Sequence, residues 1–91
     1  MKFCDRLKLV RKENGFIQKD MYTILGVSPN CYASWEQGRT QPNIEDIKRL
    51  CIILHTSADY LIGLEDEFGK KTYTEEFTYN DGVHQIKHKR K

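Results

Sequence analysis

The stretch that most constrains this chain is Leu25-Gly26-Val27-Ser28-Pro29, a break between two short helical patterns. Before it, Met21 and Leu25 stand four residues apart and so share one helix face. Gly26 can take the left-handed conformation that ends a helix. Ser28 then offers a hydroxyl as N-cap, and Pro29 fits the first position of a new helix. Tyr32 and Trp35 put two large apolar groups on one face of that second helix, and Gly38 can stop it.

Two helices separated by about three residues that include a glycine make a helix-turn-helix unit. In DNA-binding versions the second helix enters the major groove. The run from Val27 through Trp35-Glu36-Gln37-Gly38-Arg39 resembles the second helix and following loop of the lambda-repressor-like family, the Cro, phage-repressor or XRE type. Arg6-Leu7-Lys8 through Gly15 is similar to that family's first helix, and Gln18 matches its usual glutamine at the start of the next. Pro42 and Ser57-Ala58-Asp59-Tyr60-Leu61-Ile62-Gly63 match later landmarks, so the resemblance runs from Phe3 to Leu64.

The resemblance implies a mainly α fold, a five-helix DNA-binding domain over residues 1–64. It implies a sequence-specific transcriptional regulator, a repressor, that binds double-stranded DNA as a homodimer. It also implies that Arg11 pairs with Glu36 and so ties the first helix to the recognition helix. Two positions depart from the family pattern. Tyr22 replaces a small residue where two helices approach closely, which bears on their angle. Ile17 replaces a Ser or Thr cap, a loss of roughly 1 kcal/mol.

Length bounds the chain to one domain with a modest core, since it has 91 residues. No apolar run reaches the ~18 residues of a membrane span, and the first residues lack a signal-peptide apolar region, so the expected location is the cytoplasm. A net charge of +2 permits nucleic-acid binding without arguing for it. Cys4, Cys31 and Cys51 are odd in number and form no close pairs, which argues against a disulfide framework or a zinc site. His84 and His88 lie four apart in a presumed strand, too far to share a metal easily. No phosphate-cradling glycine motif or nucleophile–base arrangement stands out, so no cofactor, metal or enzymatic activity is expected.

In chain order, Phe3, Leu7 and Val10 form a helical stripe that Asn14-Gly15 ends; Leu9 falls off it. Asn43 and Asp46 resemble a capping box, followed by the stripe Ile44, Ile47, Leu50, Cys51 and Leu54. Ile52 and Ile53 widen that apolar surface, so the helix is buried on two sides or meets a partner. Ser57 can cap a short last helix, and Leu61, Ile62 and Leu64 are expected to close the core. Residues 65–71 read as a linker. Beyond them the period changes to two, with Tyr73, Glu75, Phe77 and Tyr79 on one face. With Asn80-Asp81-Gly82 as the loop, this predicts a β-hairpin extension within residues 72–91. An isolated hairpin is marginal in water, so it packs on its own helices or pairs with a second copy. Ile53, Tyr73, Phe77 and Tyr79 are the candidate dimer contacts. The tail closes with the basic run Lys87-His88-Lys89-Arg90-Lys91.

On DNA, the candidate base readers are Ser28, Asn30, Ala33, Ser34 and Gln37. Asn30 could pair bidentately with adenine, Ser34 could donate or accept, and Ala33 could touch a thymine methyl. Gln18, Arg39 and Thr40 lie where family members grip phosphates. No Lys or Arg lies between Asp20 and Gly38, so base reading would rest on neutral hydrogen bonds and shape. Two rival functions fit the same residues. One is a protein-interaction module that keeps the fold without DNA binding. The other is a toxin-neutralising protein whose hairpin binds the toxin, a protein partner, while its helices bind DNA.

Overall fold

Apolar residues at helical spacing account for the five helices of the computed structural model, which describes residues Met1–Lys71. They are α1 (Phe3–Glu13), α2 (Gln18–Leu25), α3 (Pro29–Gln37), α4 (Ile44–Leu54) and α5 (Ala58–Ile62). The expected hairpin, with Tyr73, Phe77, Tyr79 and the basic run, lies outside the described residues.

α1 packs against both α3 and α5, while α2 lies on α3 and α4 on α5. Their inward residues form one core: Leu7, Val10, Met21, Leu25, Tyr32, Trp35, Leu50, Leu54 and Leu61. Tyr22 is half-buried against this core, as are Phe3, Cys31, Cys51 and Ile53. Ile53 lays part of its side chain on the core, whereas Ile52 is exposed.

The α4 stripe is shorter than its sequence pattern. Leu50 and Leu54 are buried, but Ile44 is 79% exposed. Ile44 is the first residue of α4, directly after its cap, where no core lies opposite. Ile62 is likewise exposed, because Leu61 takes the inward position and the next residue turns away by about 100°.

Caps set the boundaries. The hydroxyls of Ser28 and Ser57 and the Asn43 side-chain oxygen accept from the backbone N–H of Cys31, Tyr60 and Asp46, at 3.0, 3.1 and 2.8 Å. Ile17 offers no acceptor, yet the Asp20 carboxylate takes the Ile17 N–H at 2.9 Å, so half of a reciprocal cap survives. Gly26 ends α2 at φ 72°, as its place in the turn requires. α4 ends without glycine: His55 sits at φ 54°, and Asn14 Nδ2 donates to the Leu54 carbonyl at 3.1 Å.

Residues 65–71, linker-like in composition, fold back as a loop. The Asp66 carboxylate accepts from the N–H of Phe68 and of Lys70, and Glu65 pairs with Lys71 as an isolated antiparallel bridge. Arg6 holds this loop to α5. Its guanidinium donates to the carbonyls of Tyr60 (2.7 Å) and Glu65 (3.0 Å) and lies 4.0 Å from the Tyr60 ring centre. Lys71 Nζ reaches both Asp59 and Glu65. These two carboxylates raise its pKa, through hydrogen bonds first and charge second.

Candidate nucleic-acid interface

α3 divides its residues between two faces at spacings of three and four. Tyr32, Trp35 and Glu36 point inward and are buried. Asn30, Ala33, Ser34 and Gln37 follow i, i+3, i+4 and i+7, which places them along the opposite side. Asn30 and Gln37 are exposed there, and Ala33 and Ser34 are half-exposed. Ser28 is exposed at the entry to the helix, where its oxygen is engaged by the Cys31 N–H.

The inward face is fixed by a buried carboxylate. The Glu36 side chain is 1% exposed and accepts four hydrogen bonds. Oε2 takes Arg11 Nε at 2.6 Å and the Tyr32 hydroxyl at 2.6 Å. Oε1 takes the Arg11 terminal nitrogen at 3.0 Å and Gln18 Nε2 at 3.0 Å. Arg11 also donates to the Phe16 carbonyl at 2.9 Å, so α1, the α1–α2 loop, α2 and α3 meet at one charge pair. Burial alone would push the Glu36 carboxyl up, but the hydrogen bonds from Arg11, Tyr32 and Gln18 hold it below the ordinary carboxylate range. Burial pushes the Tyr32 phenol up, and its bond to the carboxylate adds to that.

This geometry changes how Gln18 and Thr40 read. Gln18 Nε2 donates one of its two N–H groups to Glu36, and Gln18 itself is half-exposed. The Thr40 hydroxyl is hydrogen-bonded to that of Ser34. Arg39 is exposed, with one guanidinium nitrogen 3.0 Å from Gln37 Oε1. Lys19, in the first turn of α2, is a second exposed cation flanking the motif.

Three residues make tertiary contacts that the sequence does not foretell. Arg6 stands three residues after Phe3 and four before Val10, so its helical phase already pointed inward. Arg49 donates to the Leu25 carbonyl, satisfying the end of α2 from α4, and its other terminal nitrogen is 3.1 Å from Asp46. Asn14 bridges α1 and α4 through its side-chain amide. No local pattern announces the last two, because both depend on where α4 passes.

These features define a class: a mainly α domain built on a helix-turn-helix, its second motif helix locked on one face and polar on the other. A helix-turn-helix family model matches residues 7–61. HTH-type transcriptional regulator ImmR of Bacillus subtilis is 29% identical over 89 residues, covering 96% of this chain and 69% of its own length. The SPbeta prophage-derived uncharacterized HTH-type transcriptional regulator YonR, from the same organism, is 33% identical over 60 residues, covering 66% of this chain and 56% of its own. A crystal structure of a transcriptional regulator from Listeria innocua superposes with a TM-score of 0.65 at 32% identity, over 72% of this chain and 62% of that one. The chain belongs to the XRE-type, lambda-repressor-like helix-turn-helix family of DNA-binding transcriptional regulators. It spans between 56% and 69% of the length of these relatives. No helix among the described residues is long and apolar enough to cross a membrane.

Proposed function

We propose that this chain is a sequence-specific repressor of transcription that binds double-stranded DNA as a two-fold dimer, with α3 in the major groove. One observation carries the reading. α3 turns Asn30, Ala33, Ser34 and Gln37 to its outer side while Glu36 clamps the other side to α1 and α2. A helix so held can present base-reading groups without ordering itself on binding. Arg39 and Lys19, with the N–H groups that open α2, are assigned to phosphates. Residues 1–64 are assigned to DNA, and residues 72–91 to dimerisation. The prophage-derived relative supports a phage-type regulator.

The test is operator selection from random duplexes, with stoichiometry measured on the selected site. The expected product is a two-fold site with half-sites about one DNA turn apart, or a multiple of it, bound by two chains. Removing residues 72–91 should lower the association state. Equal affinity for selected and scrambled duplexes would refute sequence reading. No binding at low salt would leave the protein-interaction module as the better reading.

A further inference from the structure

The loop after α3 closes on Ser34 twice. The Ser34 carbonyl accepts the backbone N–H of Arg39 at 3.0 Å and of Thr40 at 3.4 Å. Gly38, at φ 78°, reverses the chain so that both reach it. This brings the Thr40 side chain against the Ser34 side chain, where the two hydroxyls share a hydrogen bond. A hydroxyl has one proton and two lone pairs. Ser34 Oγ already donates its proton to the Cys31 carbonyl, one turn back, at 2.9 Å. Thr40 must therefore be the donor between them. Ser34 is left with one lone pair and no proton to give outward. Thr40 has no proton left for a phosphate.

We infer that Thr40 is a positioning residue that fixes Ser34 as an acceptor, so that Ser34 reads an exocyclic amino group in the major groove. In that groove only cytosine N4 and adenine N6 donate; guanine offers N7 and O6, and thymine offers O4 and a methyl group. The assignment rests on α3 being the base-reading helix, and it moves Thr40 from the phosphate-gripping set to the specificity-determining set. Without Thr40 the Ser34 hydroxyl is free to leave the Cys31 carbonyl and donate, so the same position would also accept guanine or thymine.

The experiment selects operators from random duplexes with the wild-type chain and with Thr40→Val, Thr40→Ser and Ser34→Ala, each checked for an unchanged helical signal and melting temperature. Wild type should enrich cytosine or adenine at one base pair per half-site, and Ser34→Ala should lose preference at that pair alone. Thr40→Val should admit guanine or thymine there, cutting the discrimination by about 2- to 10-fold, the range of a single neutral hydrogen bond. Thr40→Ser should restore the wild-type preference, and the double variant Ser34→Ala/Thr40→Val should match Ser34→Ala. If wild type is selective but Thr40→Val enriches the same bases at every position, the assignment is overturned while base reading stands. A uniform loss of affinity in Thr40→Val, with every base preference intact, returns Thr40 to a phosphate and overturns it too. A wild-type pool with no enriched base overturns base reading by α3 and this assignment together.

Discussion

Replacing Glu36 with Gln should be among the most damaging isosteric changes in this domain. The carboxylate has two oxygens, and each accepts two hydrogen bonds at 2.6–3.0 Å. Gln offers one oxygen. Its NH2 group, whichever way it lies, meets two donors in place of two partners. Arg11, itself buried, loses its counter-charge at the same time. Breaking one side of a buried pair costs about 3–5 kcal/mol. Domains of this size have a total stability of only about 5–15 kcal/mol. The assay is urea unfolding followed by Trp35, the only tryptophan, which is 3% exposed and so reports core exposure. The Glu36 carboxyl is depressed below its unfolded value of 4.5 when folded. Its contribution is therefore complete above the unfolded pKa and lost as pH falls through the folded one. Wild type should lose stability on acidification through that window, and Glu36→Gln should show a flatter profile. A stability loss under about 1 kcal/mol, the net worth of one ordinary hydrogen bond, would refute the argument. It would mean that the pair's desolvation cost nearly cancels its attraction even when one partner is left behind.

On the outer face, Asn30→Ala should cost roughly 1–3 kcal/mol on a selected operator and relax preference at one base pair, measured by titration against selected and scrambled duplexes. Arg39→Ala should weaken all duplexes and flatten the dependence of log affinity on log salt by about one unit. At the loop, Gly38→Ala should destabilise by about 1–2 kcal/mol, from the left-handed backbone that an L side chain disfavours. Its Cβ would also stand 3.1 Å from Cys4 Sγ, so an unchanged urea midpoint would show that both the backbone and Cys4 adjust at little cost.

Much of the fold was legible because the sequence repeats its instructions. Met21 and Leu25, Tyr32 and Trp35, and Leu50 and Leu54 each follow helical spacing, and each helix after α1 begins at a residue that caps it or at a near substitute. Where a pattern ran past the end of the core, it misled. Ile44 continues the α4 stripe by spacing, but a stripe shows only which side a residue faces, not whether anything lies opposite. The outer face of α3 was legible in the same way as its core face. The hydroxyl pair Ser34–Thr40 was not, since it depends on a loop reversal that brings two residues six apart into contact. Glu36 with Arg11 was suggested by family resemblance, while Gln18 and Tyr32 completing that site are tertiary facts.

The two inward arginines of α1 bear on how the motif is held. Arg11 reaches α2 and α3 through Glu36, and Arg6 reaches α5 and the loop after it through backbone carbonyls. Between them, Leu7 and Val10 supply the apolar contact. Burying such charges adds little net stability, because desolvation offsets much of the attraction. Their effect lies in what they exclude. Nine apolar core residues could by themselves tolerate several packings of five short helices. A packing that rotated α1 would leave two guanidinium groups buried without acceptors, at several kcal/mol each. α1 thus fixes α3 at one end and α5 at the other by penalising the alternatives. It follows that the angle of α3 against the body of the domain is set before any DNA is met. If α3 is the reading helix, substitutions at Arg11 or Glu36 should then lower operator affinity by loosening α3, even though both residues are buried.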